Sequence, residues 1–167
     1  MKETVEQDFL REVNAHRGIL YKLARVYSRS QQEMDDLTQD MLLQLWRSFA
    51  SFRGESSIKT WMYRVCLNTA LTYYKREVVS KREESTFQLP ELAAPEESDY
   101  REERQIMYTL IQSLSDVEKA LILLYLEGFS GQEIAGNMGL SEGNVRVRLM
   151  RIKEKLKERR IQYGYTV

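Results

Sequence analysis

The sequence predicts an all-α fold: two small helical domains joined by a flexible acidic linker, the second a helix-turn-helix. Three observations carry that expectation. Apolar residues recur at helical spacing, and no stretch alternates with the period of two that a half-buried strand needs. Both prolines, Pro90 and Pro95, sit in one acidic segment poor in large hydrophobes, roughly Val79–Glu103, which reads as an extended linker. Gly128, Gly131, Gly136, Gly139 and Gly143 crowd into sixteen residues, marking tight turns between short helices. The expected division is 1–78, a linker over 79–104, and 105–167.

The elements follow in order. An early helix carries Phe9, Val13, Leu20, Leu23 and Ala24. Asp35 or Asp36 can cap the next, whose Leu37, Met41, Leu45 and Phe49 recur every four residues. After Gly54, Ser56 or Ser57 can cap a long helix from Ile58 to about Arg76, with Met62, Val65, Cys66 and Tyr73 on one side. In the second half Ile106–Leu114 can form a helix, and Ser115 or Asp116 can cap Val117–Glu127. Ser130-Gly131-Gln132-Glu133 fits a capping box for a short helix ending near Met138. Gly139 can take a positive φ, and Ser141 can cap a last helix with a narrow stripe of Val145, Leu149, Ile152 and Leu156. A short helix, a glycine turn and a basic amphipathic helix make a helix-turn-helix.

Composition removes several function classes. Of 167 residues, 43% are hydrophobic and 30% charged, a globular balance. No apolar run nears the ~20 residues that span a bilayer, and the opening residues lack the apolar core of a signal peptide. A cytoplasmic protein without stable membrane insertion is expected. One cysteine, Cys66, and one histidine, His16, cannot make an internal disulfide or a structural zinc site. Cys66 falls on an apolar face and reads as a small core residue. No metal or cofactor is expected. Neither paired carboxylates, a nucleophile–base arrangement nor a phosphate-binding glycine loop stands out, so an enzyme is not expected either.

Net charge is zero, but the charge is sorted along the chain. Residues 146–160 hold eight basic and two acidic side chains, and 51–76 hold five and one. Between them, 77–105 hold four basic and nine acidic. Two basic stretches separated by an acidic one suggest nucleic-acid contact at two places.

On the last helix, about 100° per residue turns Gly143, Asn144, Val147, Met150 and Arg151 away from the core stripe, with Arg146 and Arg148 flanking. Gly143, Asn144, Val147 and Arg151 suit close approach to base edges in a major groove. Arg146, Arg148, Lys153 and Lys155 suit phosphate. On the helix from Ile58, Trp61, Arg64, Asn68, Thr72 and Lys75 form a polar strip. The loop before it, Ser51–Ser57, carries Phe52, Arg53, Gly54, Glu55 and Ser56. Aromatic rings beside cations suit unstacked bases. Trp61 read alone is more often a packing residue.

These residues carry a resemblance. Asp35-Asp36-Leu37-Thr38-Gln39-Asp40-Met41 leading to Leu45-Trp46 resembles region 2.2 of bacterial RNA polymerase sigma factors of the sigma-70 family. Phe52-Arg53-Gly54, Thr60–Arg64 and Asn68 resemble regions 2.3 and 2.4. Leu114-Ser115, Glu133-Ile134-Ala135, Leu140-Ser141 and Val145–Arg148 resemble region 4. The three ordered blocks cover nearly the whole chain, as in the extracytoplasmic-function (ECF) group. The resemblance implies docking on core RNA polymerase through Asp36, Gln39, Asp40, Gln44 and Trp46. It implies capture and melting of the promoter −10 element by Phe52–Ser56, Lys59, Trp61, Arg64, Asn68 and Lys75. It implies reading of the −35 element by Ser141, Gly143, Asn144, Arg146, Val147, Arg148, Met150, Arg151 and Lys155. It further implies passage of the linker through the polymerase's RNA exit region and control by an anti-sigma factor. Asn144 stands where many members have threonine. Two rivals remain at this point: a stand-alone helix-turn-helix regulator with an N-terminal sensing or dimerising domain, and an all-α adaptor that never touches DNA.

Overall fold

The structure, a computed structural model, describes residues 2–77 and 101–165. The side chains of residues 2–3 and 74–77 also lie outside the described residues, as does the expected linker up to residue 100. The described residues form eight helices and no strand, in two compact units.

The first unit holds α1 (Lys2–Ala15), α2 (Arg17–Tyr27), α3 (Gln31–Phe49) and α4 (Ile58–Glu77). Helices α2, α3 and α4 pack mutually around Leu20, Leu23, Leu37, Met41, Leu45, Met62 and Cys66, all almost fully buried. Removing each such side chain from water contributes ~1.5–3 kcal/mol. The single early helix expected from sequence is two, broken at His16. There the ring Nδ1–H donates to the Glu12 carbonyl at 3.1 Å, closing α1 before Arg17 starts α2. Helix α3 begins earlier than Asp35, because the cap is Ser30. Its hydroxyl accepts from the Glu33 N–H at 3.1 Å, while the Glu33 carboxylate accepts from the Arg29 N–H at 2.7 Å. Ser57 caps α4, accepting from the Thr60 N–H at 3.1 Å.

The second unit holds α5 (Arg101–Gln112), α6 (Asp116–Leu126), α7 (Gly131–Met138) and α8 (Glu142–Gln162). Helix α5 starts at Arg101 rather than Ile106, so four residues expected in the linker are helical. Glu102 and Glu103 in its first turn favour that earlier start by facing the positive end of the helix dipole. Helix α6 is apolar nearly all round, with Ala120–Leu124 buried. It touches α5, α7 and α8, as a helix without a polar face must. Capping boxes close both Ser115/Glu118 and Ser130/Glu133.

Candidate nucleic-acid interface

The turn between α7 and α8 fixes the aim of the last helix. Gly139 ends α7 with φ +66° and ψ 33°, a left-handed conformation that only glycine takes cheaply. The Leu140 N–H then donates back to the Ala135 carbonyl at 3.0 Å, and the Ser141 hydroxyl accepts from the Asn144 N–H at 3.2 Å. Val145, Leu149 and Ile152 point into the unit. Gly143, Asn144, Arg146, Val147, Arg148, Met150 and Arg151 are consequently exposed together along the first turns, on one convex surface of the size a major groove admits.

Not every cation of α8 belongs to that surface. Lys155, expected at phosphate, lies with its ammonium 2.6 Å from the Glu118 carboxylate on α6. Its place on the flank of the core stripe turns it toward the unit's own acid. Lys153 sits over the Tyr125 ring, 3.9 Å from the centroid. Arg159 donates to the Ser113 hydroxyl at 2.7 Å and to the Ser113 carbonyl, closing the end of α5. Asn144 accepts from Arg148 Nε at 2.9 Å, which aligns two of the expected DNA-facing side chains. Burial alone would raise the pKa of Glu118. Its bonds from Lys155 and Ser115 outweigh that and hold it below the ordinary value.

In the first unit, Gly54 turns the loop before α4 with φ +71°. Arg53, Gly54, Glu55, Arg64 and Asn68 are exposed; Phe52, Ser56, Lys59 and Trp61 are half-buried. Phe52 and Trp61 are in ring contact, centroids 5.1 Å apart. The row continues through Phe49 at 6.2 Å, Phe9 at 5.3 Å and Trp46 at 5.0 Å. Lys75 lies in α4 with its side chain outside the described residues. The thiol of Cys66 is held well above its ordinary pKa by burial, which keeps it protonated and unreactive.

Along α3, Asp36, Gln39, Asp40 and Gln44 are partly exposed and Trp46 is 43% exposed. Asp36 has a raised pKa, first from partial burial and then from Asp35, Asp40 and Glu33. A groove of about 340 Å³ between α3 and α4 brings Asp40 and Gln44 together with Asn68. Sequence reasoning missed Leu43, which is 43% exposed and lies in the stripe Asp36, Gln39, Leu43 and Trp46. Its spacing of four and three from its neighbours was the available signal.

Two family models match the chain: Sigma-70 region 2 over residues 13–78, and Sigma-70, region 4 over residues 104–156. The ECF RNA polymerase sigma-E factor of Escherichia coli K12 is 33% identical over 151 residues, covering 81% of this chain and 79% of its own. The chain belongs to the sigma-70 family, in its ECF group. The sigma-E factor of Haemophilus influenzae is 31% identical, covering 84% of this chain and 82% of its own. Two solved structures share the fold. One is CnrH in complex with the cytosolic domain of CnrY, with TM-score 0.64, 22% identity, and coverage of 92% of this chain and 87% of that one. The other is the sigma factor RpoE with the anti-sigma factor NepR from Bartonella quintana, with TM-score 0.63, 23% identity, and coverage of 91% and 96%. As an ECF sigma factor, the protein binds core RNA polymerase and directs it to promoters. Its region 2 match contains the acid-bearing α3, the Gly54 loop and α4, and its region 4 match contains the helix-turn-helix. No described helix is long and apolar enough to cross a membrane.

Proposed function

We propose that the two domains, 1–78 and 105–167, divide promoter recognition between them, with 79–104 as the tether. Helix α3 docks on core polymerase through Asp36, Gln39, Asp40, Leu43, Gln44 and Trp46, a face of carboxylates and apolar side chains suited to a basic, partly apolar partner. The loop residues Phe52, Arg53, Gly54, Glu55 and Ser56, with Lys59, Trp61, Arg64, Asn68 and Lys75 of α4, hold the melted −10 strand. Phe52 braced on Trp61 offers a stacking wall, and the cations hold backbone. Ser141, Gly143, Asn144, Arg146, Val147, Arg148, Met150 and Arg151 meet the −35 duplex. Lys155, paired to Glu118, sets the angle of α8 rather than gripping phosphate.

The protein is a cytoplasmic initiation factor and catalyses no reaction of its own. The RpoE neighbour, solved with NepR, supports control of this chain by an anti-sigma factor as well.

The observation that carries the reading is the coexistence, in one chain, of an acid-faced helix and a helix-turn-helix whose exposed first turns are flanked by arginines. Run-off transcription with purified core polymerase and genomic promoter fragments tests it. Transcripts from a defined promoter set are expected only when this protein is added. Nanomolar binding of a palindrome by the protein alone, without promoter-specific transcription, would replace this reading with a stand-alone regulator.

A further inference from the structure

Two large apolar side chains stand exposed on the first turns of α8. Val147 and Met150 are 40% and 57% exposed, and at a spacing of three they are neighbours on the helix surface. The core stripe of this helix is Val145, Leu149 and Ile152, so neither belongs to it. Arg146 and Arg151, both exposed, put positive charge on either side of this pair. Gly143 lies one turn earlier on the same face. A Cβ there would meet nothing within 4 Å, and its φ is not positive. Nothing inside the chain requires glycine at that position, although glycine weakens a helix relative to alanine. Glycine there leaves the face open to close approach by an outside partner. One turn beyond Arg151 toward the C-terminus, Glu154 is exposed, and its carboxylate repels phosphate. The usable face therefore ends near Arg151.

A small apolar centre with a cationic rim fits one feature of the major groove. The apolar group at a base edge there is the 5-methyl of thymine; guanine, cytosine and adenine present donors and acceptors. Valine and methionine supply no donor to those edges but pack well on a methyl group. We propose that Val147 and Met150 are specificity-determining residues that read thymine methyl groups in the −35 duplex, selecting A·T pairs by apolar contact. Arg146 and Arg151 hold the flanking backbone or base edges. This inference rests on the −35 reading above and adds the chemistry by which bases are chosen.

The full-length protein bound to core polymerase first selects its −35 duplex from a random-sequence library. Each thymine of the selected duplex is then replaced by deoxyuridine, which removes the methyl group alone. Affinity is expected to fall about fourfold at one or two thymines, the factor for burying one methyl-sized group. Val147→Ala and Met150→Ala, both at exposed positions, are expected each to erase the thymine preference at one site without changing helical content. Tolerance of uracil at every thymine, or a preference that survives in both variants, overturns methyl reading and leaves −35 recognition standing. Failure to select any −35 sequence overturns both together.

Discussion

Helix α4 packs against both α2 and α3 and buries Met62, Tyr63, Cys66, Leu67 and Ala70. Helix α8, 21 residues against 20, buries only Val145, Leu149 and Ile152. It is held additionally by polar ties from Lys155 to Glu118, Arg159 to Ser113 and Lys153 to Tyr125. The first helix is fixed by shape and the second partly by charge. A shape-fixed helix suits the proposed strand-holding role, because it keeps its loop and aromatic wall in place while a duplex is opened. A charge-tied helix has some of its cations drawn to its flank, so that the exposed first turns carry arginine, asparagine and apolar groups instead of a uniform positive field.

The largest expected effect comes from opening the packed core beneath α4. Met62 is 1% exposed, and Met62→Ala should cost the first domain ~2–5 kcal/mol. Urea denaturation followed by circular dichroism checks this. A loss below ~1 kcal/mol would show that buried packing does not hold α4.

Next come the two DNA-facing roles. Phe52→Ala should impair duplex opening by the ~1–3 kcal/mol that stacking supplies per base. Arg151→Ala should cost ~1–3 kcal/mol at the cognate −35 sequence. A promoter with a pre-melted −10 bubble is expected to rescue the first variant in part and leave the second impaired. Equal rescue would mean that melting and duplex reading have been assigned to the wrong domains.

The polar ties of α8 respond to acid. Burial pushes the Glu118 pKa up, but bonds from Lys155 and Ser115 prevail and leave it below the ordinary 4.5. A carboxylate with a depressed folded pKa contributes stability that is fully present above its unfolded value and fades as pH falls through the folded one. Glu118→Gln should therefore destabilise the second domain near neutral pH by about 1 kcal/mol. The gap from the parent protein should close below pH 4.5. Thermal melts across that range decide it, and a gap independent of pH would deny the ion pair its role.

The smallest effect has the opposite sign. Partial burial, then Asp35, Asp40 and Glu33, raise the Asp36 pKa above its ordinary 3.8. Such a group favours the fold when protonated and loses that contribution as pH rises through the folded value, so ionised Asp36 is a mild burden at neutral pH. Asp36→Asn should stabilise the first domain by a few tenths of a kcal/mol while weakening capture of core polymerase in a pull-down. Unchanged capture would remove this position from the docking face.

The elements were legible wherever local rules sufficed. The Ser130/Glu133 box, the Gly139 turn and the stripe Val145, Leu149 and Ile152 are readable because each depends on residues within a few positions, whereas Leu156, expected to continue that stripe, is only half-buried. The start of α3 was misread although Ser30-Gln31-Gln32-Glu33 carries a capping box pattern. Its first six residues include only one apolar side chain, Met34, and periodicity speaks clearly only from Leu37. Tyr63 and Leu67 are buried outside the stripe the sequence shows, because a helix packed on two neighbours buries more than one stripe. The pairing of Lys155 with Glu118 is not legible in the sequence, because the two are 37 residues apart. No spacing rule reaches that far.

The aromatic row Trp46–Phe9–Phe49–Trp61–Phe52 contains both tryptophans of the chain. Light absorbed selectively by indole is therefore emitted from the first domain alone, and the second, with Tyr108, Tyr125, Tyr163 and Tyr165, stays dark at that wavelength. Trp46 stands at one end of the row, on the proposed docking face, and Trp61 stands at the loop proposed to meet the opened strand. The molecule thus carries a built-in optical probe at each of the two proposed contacts of its first domain. Replacing either indole with phenylalanine leaves the other to report by itself, so docking and strand capture can be timed separately in one unlabelled protein.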